Sequence, residues 1–449
     1  MKRNFFRRMT SFIAMTLVCT AVFAQNTQEV KSSSLTSLGK LIVRASTNGD
    51  EVISGRTHVG SNGNMASEFV KFGQTLSNSR QVIISNSVID DFCVFDGMVY
   101  FCGAANSQKV FGYFKESEFN SSSFNATVFK LANVDFVNRI KVYRDDATQN
   151  VNVAIVGGRY DTSCVGYIIS PSTLIVGKTN GVNFNYFQYE FSIFNPCYYN
   201  YYIQFQDIVI TNDYIVAVGY ETETSRDIIL SRIKKSNLAS LEYLTITDPS
   251  HVALNSTIVM ENLKTNDVAF SSLFSDASTG NSFMRVYVFD MDNLTNMNIQ
   301  DIKLTDKVFP DDMLFLPYDG TLMLLLTAGG FPSTQDVSSM VYYLDPYATQ
   351  PYTVDFMYDA NNRWYSFDRL TSSYFVVGGR TPQYERYYLI RDKQAGTTSS
   401  CVHYSPTGVT MQPILSGNIS TITGLPSNVV GQSLQCVSNY ISLYDGCRD

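Results

Sequence analysis

The 449-residue chain contains one tryptophan, three histidines and 12 prolines, and only 16% of its residues are charged. The three histidines, His58, His251 and His403, have no partner at metal-ligand spacing, and Cys401 beside His403 is not a ligand set. There is no Gly-x-Ser-x-Gly, no Cys-x-x-Cys and no His-Glu-x-x-His, so the linear templates for serine hydrolases, thiol oxidoreductases and zinc peptidases are empty. The Asp-box pattern of sialidases is missing as well. No metal and no other cofactor is expected. Beyond residue 23 no run approaches about 18 uninterrupted apolar residues, so no later membrane-spanning helix is expected.

What is present at the start is Lys2, Arg3, Arg7 and Arg8, then an apolar stretch from Phe12 to Phe23 ending on the small Ala24. That order predicts a secretory signal peptide over 1–24, cleaved after Ala24, and hence a secreted, periplasmic or cell-surface protein of the cell envelope. A lipid anchor at Cys19 is disfavoured by the bulky Val18 before it. Cleavage takes four of the 33 basic residues and none of the 40 acidic ones, leaving 29 against 40 and a net charge of about −11. Such a surface repels phosphate backbones, so nucleic acid is excluded as a partner. Of the eight cysteines, Cys19 leaves with the leader and seven remain. Cys436 and Cys447 are the candidate disulfide, tying down a terminal loop, with buried free thiols as the alternative.

Aromatic residues make up 13% of the chain, a composition suited to β-sheet. Two stretches show how the sheets are organised. "AIVGGRYDTSCVGYII" (154–169) and "FVVGGRTPQYERYYLI" (375–390) share an apolar run, Gly-Gly-Arg, a polar loop and a second apolar run. Relatives of the second run end at Phe114, Ile169, Ile233, Phe289, Leu344 and Ile390, at spacings of 55, 64, 56, 55 and 46. In the first four, another apolar residue follows five positions later, at Phe119, Leu174, Leu238 and Leu294, across turn-forming tetrapeptides. Upstream, "DFCVFDGMVYFCG" (91–103) and "DIVITNDYIVAVG" (207–219) are hairpins turning at Asp96-Gly97 and Asn212-Asp213. Each unit therefore reads as four antiparallel strands. The closing glycine of the second strand is read as a positive-φ exit from a packed strand.

A four-stranded unit with two apolar faces buries neither alone. Stacking the units face to face and closing them in a ring buries both. The expected fold is therefore an all-β β-propeller of seven four-stranded blades, six or eight being the alternatives, with 25–449 as one domain whose terminal strands meet at the seam. Gly157-Gly158, Gly329-Gly330 and Gly378-Gly379 after apolar runs resemble the kelch type of propeller. Three units carry the resemblance, and the kelch tryptophan is absent, Trp364 being the only tryptophan.

Four groups of residues are candidate sites. "VGKT" (176–179) resembles the end of a phosphate-binding loop, yet Ser172 stands where that loop needs glycine, so no nucleotide site is assigned. Arg159 and Arg380 occupy equivalent loops, where two guanidiniums suit a carboxylate or sulfate; the alternative is pairing with acids of the scaffold. Asp91 and Asp207 open equivalent innermost strands and are candidates for metal or acid–base work, against a role as backbone caps. The segment 184–205 has 11 aromatic residues among 22, and its Tyr198, Tyr199, Tyr201 and Tyr202 suit stacking on sugar rings or contact with another protein. The expectation is a monomeric, non-catalytic module that binds a glycan or a protein. A carbohydrate-active enzyme, a hydrolase or lyase with channel carboxylates, is the alternative, and a structural or adhesive surface component is the third reading.

Overall fold

The computed structural model describes residues 27–32, 40–59, 63–73, 76, 79–145, 148–160, 172–191, 203–221, 227–246, 251–259, 266–276, 282–294, 296–303, 308–316, 320–328, 338–347, 353–359, 363–371, 374–380, 386–392, 403–411, 417–423, 425–440 and 444–445. The protein is all-β. Among the described residues the only helical element is a 3-10 turn at Glu116–Asn120, and no helix is long and apolar enough to cross a membrane.

After β1 (Thr27–Ser32), the first group is β2 (Ile42–Ala45), β3 (Glu51–Val59), β4 (Met65–Gly73) and β5 (Arg80–Ser85). The second is β6 (Ser87–Phe95), β7 (Met98–Ala105), β8 (Gln108–Lys115) and β9 (Ser123–Lys130). The third is β10 (Phe136–Arg144), β11 (Val151–Gly158), β12 (Ser172–Thr179) and β13 (Asn183–Phe191). The fourth is β14 (Ile203–Ile210), β15 (Tyr214–Glu221), β16 (Ile228–Lys234) and β17 (Ser240–Ile246). The fifth is β18 (His251–Val259), β19 (Asp267–Asp276), β20 (Ser282–Asp290) and β21 (Met297–Lys303). The sixth is β22 (Val308–Leu316), β23 (Thr321–Ala328), β24 (Ser338–Leu344) and β25 (Thr353–Asp359). The last is β26 (Arg363–Arg369), β27 (Tyr374–Arg380) and β28 (Arg386–Asp392), to which β1 adds as a fourth antiparallel strand with Thr27 opposite Arg391.

Within each group successive strands pair antiparallel, as tight turns require. Asp96-Gly97 is such a turn, both residues having positive φ, 52° and 70°. The first strands of consecutive groups touch in the cyclic order β2, β6, β10, β14, β18, β22, β26, and β26 returns to β2. The C-terminal segment runs along the other side of the groups. β29 (His403–Met411) pairs with both β21 and β25, β30 (Gly417–Thr423) with β17 and β31 (Leu425–Val430) with β13. β32 (Gln432–Tyr440) lies between β5 and β9, and β33 (Tyr444–Asp445) caps β1. Each last strand thereby gains a hydrogen-bonded neighbour where it would otherwise present an open edge.

The core lies between the groups. One apolar cluster joins the first and second, with Phe69 edge-on to Phe92 (centroids 5.4 Å apart) and to Phe114 (5.3 Å). Further clusters join the second to the third, the third to the fourth, the fourth to the fifth, and the last to the first. Full burial of each such aromatic contributes about 1.5–3 kcal/mol.

Five of the six apolar runs used to find the repeat are third strands: β8, β16, β20, β24 and β28. The sixth, "CVGYII", lies outside the described residues, and the third strand of its group is β12, which begins at Ser172 inside the expected turn. The "VGKT" run is the end of that strand.

The repeated glycine has a different cause from the one expected. Gly157, Gly219 and Gly379 lie inside β11, β15 and β27 and do not have positive φ. Each faces a one-residue bulge in the adjoining first strand, as does Gly103. The bulge pushes a carbonyl into the space a side chain would fill. A Cβ at Gly103, Gly157, Gly219 or Gly379 would lie 2.0, 2.2, 2.2 or 2.1 Å from the oxygen of Val88, Phe136, Gln204 or Arg363. Gly378 has its own reason, since a Cβ there would meet Val43 Cγ1 of β2 at 2.3 Å.

Candidate functional site

The bulges also set the site. They fall at the same place in β6, β10, β14, β18, β22 and β26, and the residues immediately after them are Asp91, Arg139, Asp207, Asn255, Asp312 and Ser366. Side chains two apart on a strand share a face. The next inward positions therefore include Cys93 on β6, Lys141 on β10, Val209 on β14, Leu314 on β22 and Asp368 on β26. Together with Arg44 of β2, residues from these two levels line a cavity of about 240 Å³ bounded by six of the first strands.

First strands are sheet edges and carry N–H groups that no ladder satisfies. The acidic side chains answer this. Ile140 N of β10 donates to Asp91 Oδ2 at 3.0 Å, Phe367 N of β26 to Asp312 Oδ2 at 3.2 Å, and Ala45 N of β2 to Asp368 Oδ2 at 2.8 Å. Val43 N donates to Ser366 Oγ at 3.3 Å in the same way. In each case the acceptor belongs to one strand and the donor follows the matching position on the next, so the side chain staples neighbouring groups. The second oxygen of Asp312 and of Asp368 accepts the following residue's own N–H, Met313 N at 3.0 Å and Arg369 N at 2.8 Å.

Asp91 is fully buried, and Arg44 Nη2 lies 3.0 Å from its Oδ1. Arg44 also donates to Phe92 O, Val43 O and Ser366 Oγ, so its guanidinium ties β2 to β6 and β26. Asp207 accepts from Ile208 N at 2.9 Å and has Arg139 Nε 3.4 Å from Oδ1. Asp91 and Asp207, expected to open their strands, lie instead in the middle of β6 and β14, each directly after the bulge. Their oxygens are occupied by backbone and guanidinium donors, and Asp91 is not in the cavity wall.

Burial pushes the Asp312 carboxyl above its ordinary range; Arg44 and then Arg139 oppose the shift, while Asp207 adds to it. Burial, reinforced by Asp91, pushes the Cys93 thiol up to about 12, so this cavity-lining cysteine is not a thiolate. Lys141 is half-buried in the cavity wall, and among the described residues it forms no hydrogen bond or ion pair. Among the described residues no three His, Cys, Asp or Glu side chains are grouped to hold a metal.

The other candidates lie elsewhere. Arg159, just past β11, pairs with Glu190 of β13 at 3.4 Å, inside its own group. Arg380, ending β27, stands over the Tyr365 ring at 5.8 Å, next to Arg363 at 5.0 Å. The two arginines are not brought together. Tyr198, Tyr199, Tyr201 and Tyr202 lie outside the described residues. In the described part of the aromatic segment, Phe184, Tyr186, Tyr189 and Phe191 of β13 and Phe205 of β14 are buried core, and Phe187 is half-buried against it. Cys436 of β32 is a buried free thiol whose Sγ lies 3.4 Å from Leu434 O, and its candidate partner Cys447 lies outside the described residues.

Arg44, Arg139, Lys141, Asp312 and Asp368 were not singled out from the sequence. Aligning the second-strand glycines and then reading the preceding strand would have found Arg139, because the glycine marks the bulge that aims it inward. Asp312 has no such marker, since Leu326 stands at the corresponding place in β23.

No protein-family model matches the chain, and no curated protein matches it.

Proposed function

We propose that the chain is an exported β-propeller of seven four-stranded blades, kelch-like in its glycines, that serves as a binding module rather than an enzyme. The cyclic order of first strands, the pairing of β1 with β28 and the apolar clusters between successive groups support the ring. The observation that carries the binding reading is the use of the inner carboxylates as staples. An acid–base pair needs two carboxyl groups facing the substrate about 5–10 Å apart, with oxygens free to exchange protons. Here Asp91, Asp312 and Asp368 spend theirs on backbone N–H groups of neighbouring strands. Recognition then falls to side chains on one face of the ring, with Tyr198, Tyr199, Tyr201 and Tyr202 supplying flat apolar surface for a glycan or a protein. After cleavage at Ala24 the module acts as a monomer outside the cytoplasm.

The test is binding of the mature chain and of a variant with those four tyrosines changed to serine to a glycan array and to extracellular protein extracts. The wild type is expected to bind and the variant to lose at least about tenfold, as stacking losses of 1–3 kcal/mol per ring imply. Equal binding by both removes the tyrosines from the function. N-terminal sequencing of the exported protein is expected to begin at Gln25.

A further inference from the structure

The cavity has a feature the staples do not explain. Its acids are matched by backbone N–H groups or guanidiniums, and Arg44 spends its donors on Asp91, Ser366 and two carbonyls. Lys141 forms no hydrogen bond or ion pair among the described residues. Its ammonium has three donors, sits on the same face of β10 as Arg139 and faces the space between β6, β14 and β22. Its charge is felt at Asp312, whose two oxygens already accept Met313 N and Phe367 N. An ammonium in a partly dry cavity with no fixed acceptor is a place for an anion from solution.

We infer that the central cavity binds a small monovalent carboxylate, with Lys141 as the group that holds it. The inference deepens the binding reading by naming a ligand class and a second place on the same ring. The volume of about 240 Å³ admits a molecule no larger than one sugar acid or amino acid. Val209, Met313 and Leu314 in the wall give its carbon skeleton an apolar seat. Single negative charge is favoured over double. Asp207, Asp312 and Asp368 line the same space opposite Arg44, Arg139 and Lys141, and for a phosphate dianion the attraction to Lys141 only doubles while the cost of leaving water grows with the square of the charge.

Calorimetric titration of the mature protein with glucuronate, acetate, inorganic phosphate and glucose tests this, alongside Lys141→Gln, Lys141→Arg and the exposed-site control Lys178→Gln. The expected result is glucuronate binding that weakens with added salt, no binding of glucose, and phosphate weaker than glucuronate. Lys141→Gln is expected to lose at least about tenfold, as for a hydrogen bond to a charged group, while Lys178→Gln matches the wild type. Lys141→Arg is expected to retain binding within about threefold, which separates charge from a folding defect. The inference is overturned if the wild type binds no carboxylate, if glucose binds as well as glucuronate, if phosphate binds more tightly, or if folded Lys141→Gln binds like the wild type. Changing the four tyrosines leaves this cavity intact, so either proposal can fail without the other.

Discussion

Replacing Gly157 by alanine tests the link between bulge and glycine. The new Cβ would stand 2.2 Å from Phe136 O and 3.0 Å from Val137 Cα. Close carbon–oxygen contacts settle at about 3.3 Å, so the carbonyl has to retreat by roughly 1 Å. It is a backbone atom, and no rotamer change relieves the clash. The bulge itself must shift, and with it Arg139 one residue beyond. Overpacking of this kind costs about 1–3 kcal/mol, and a clash with backbone belongs at the upper end, about 3 kcal/mol. Two other glycines calibrate the effect. Gly73→Ala puts a Cβ 3.9 Å from Glu51 Cγ with ordinary φ, and is expected to be neutral or stabilising by up to about 1 kcal/mol. Gly97→Ala meets nothing within 4 Å but keeps φ at 70°, and is expected to cost about 1 kcal/mol. Urea midpoints of the three variants at constant slope give the order. A Gly157→Ala variant within about 0.5 kcal/mol of Gly73→Ala would break the proposed link between glycine and bulge. In β19 and β23 the same position holds Phe274 and Leu326, so the fifth and sixth groups seat their bulges differently.

Two more outcomes follow from buried charge. Arg285 and Asp301 form a two-point pair inside the fifth group, Nε to Oδ1 at 2.7 Å and Nη2 to Oδ2 at 3.0 Å. Asp301→Ala is expected to cost about 3–5 kcal/mol in urea unfolding, whereas Arg285→Met with Asp301→Leu recovers most of the loss. Burial holds the Asp90 carboxyl up at about 6, with Lys109 opposing and Asp91 adding. Its folded pKa is raised, so the penalty for its ionised form is complete above pH 6 and is relieved as pH falls through 6 towards 4. Asp90→Asn is therefore expected to stabilise at pH 7–8 by roughly 1 kcal/mol, after allowance for solvent at this partly exposed side chain, and to lose that advantage near pH 4 in thermal melts.

The all-β class and most of the strand order were legible because the recurring apolar runs and the Asp-Gly turn are local signals. Asp96-Gly97 specifies its hairpin within four residues. The third strand of the third group was misread because "CVGYII" has the composition of a strand, and only pairing across β11 shows that β12 starts at Ser172. The first group was not legible as a unit of its own, because β2 is only four residues long and β3 carries a single glycine, Gly55, instead of a Gly-Gly pair. β29 to β33 were not legible as additions to distant groups, since their partners lie up to hundreds of residues away and nothing local encodes which edge each covers. The site was half legible. Asp91 and Asp207 could be placed by symmetry, but their donors come from other strands: Arg44 and Ile140 for Asp91, Arg139 for Asp207. A sequence displays the acid and hides the N–H it will meet.

In the proposed ring of first strands, the pairing of β1 with β28 is the seal. Glu29 and Leu389 are opposite each other in that pairing, close enough for a disulfide between substituted cysteines. Mass spectrometry of the oxidised Glu29→Cys, Leu389→Cys variant is expected to find the two peptides linked within a monomer. A folded, oxidised protein in which they remain unlinked, or are linked only between molecules, contradicts the ring.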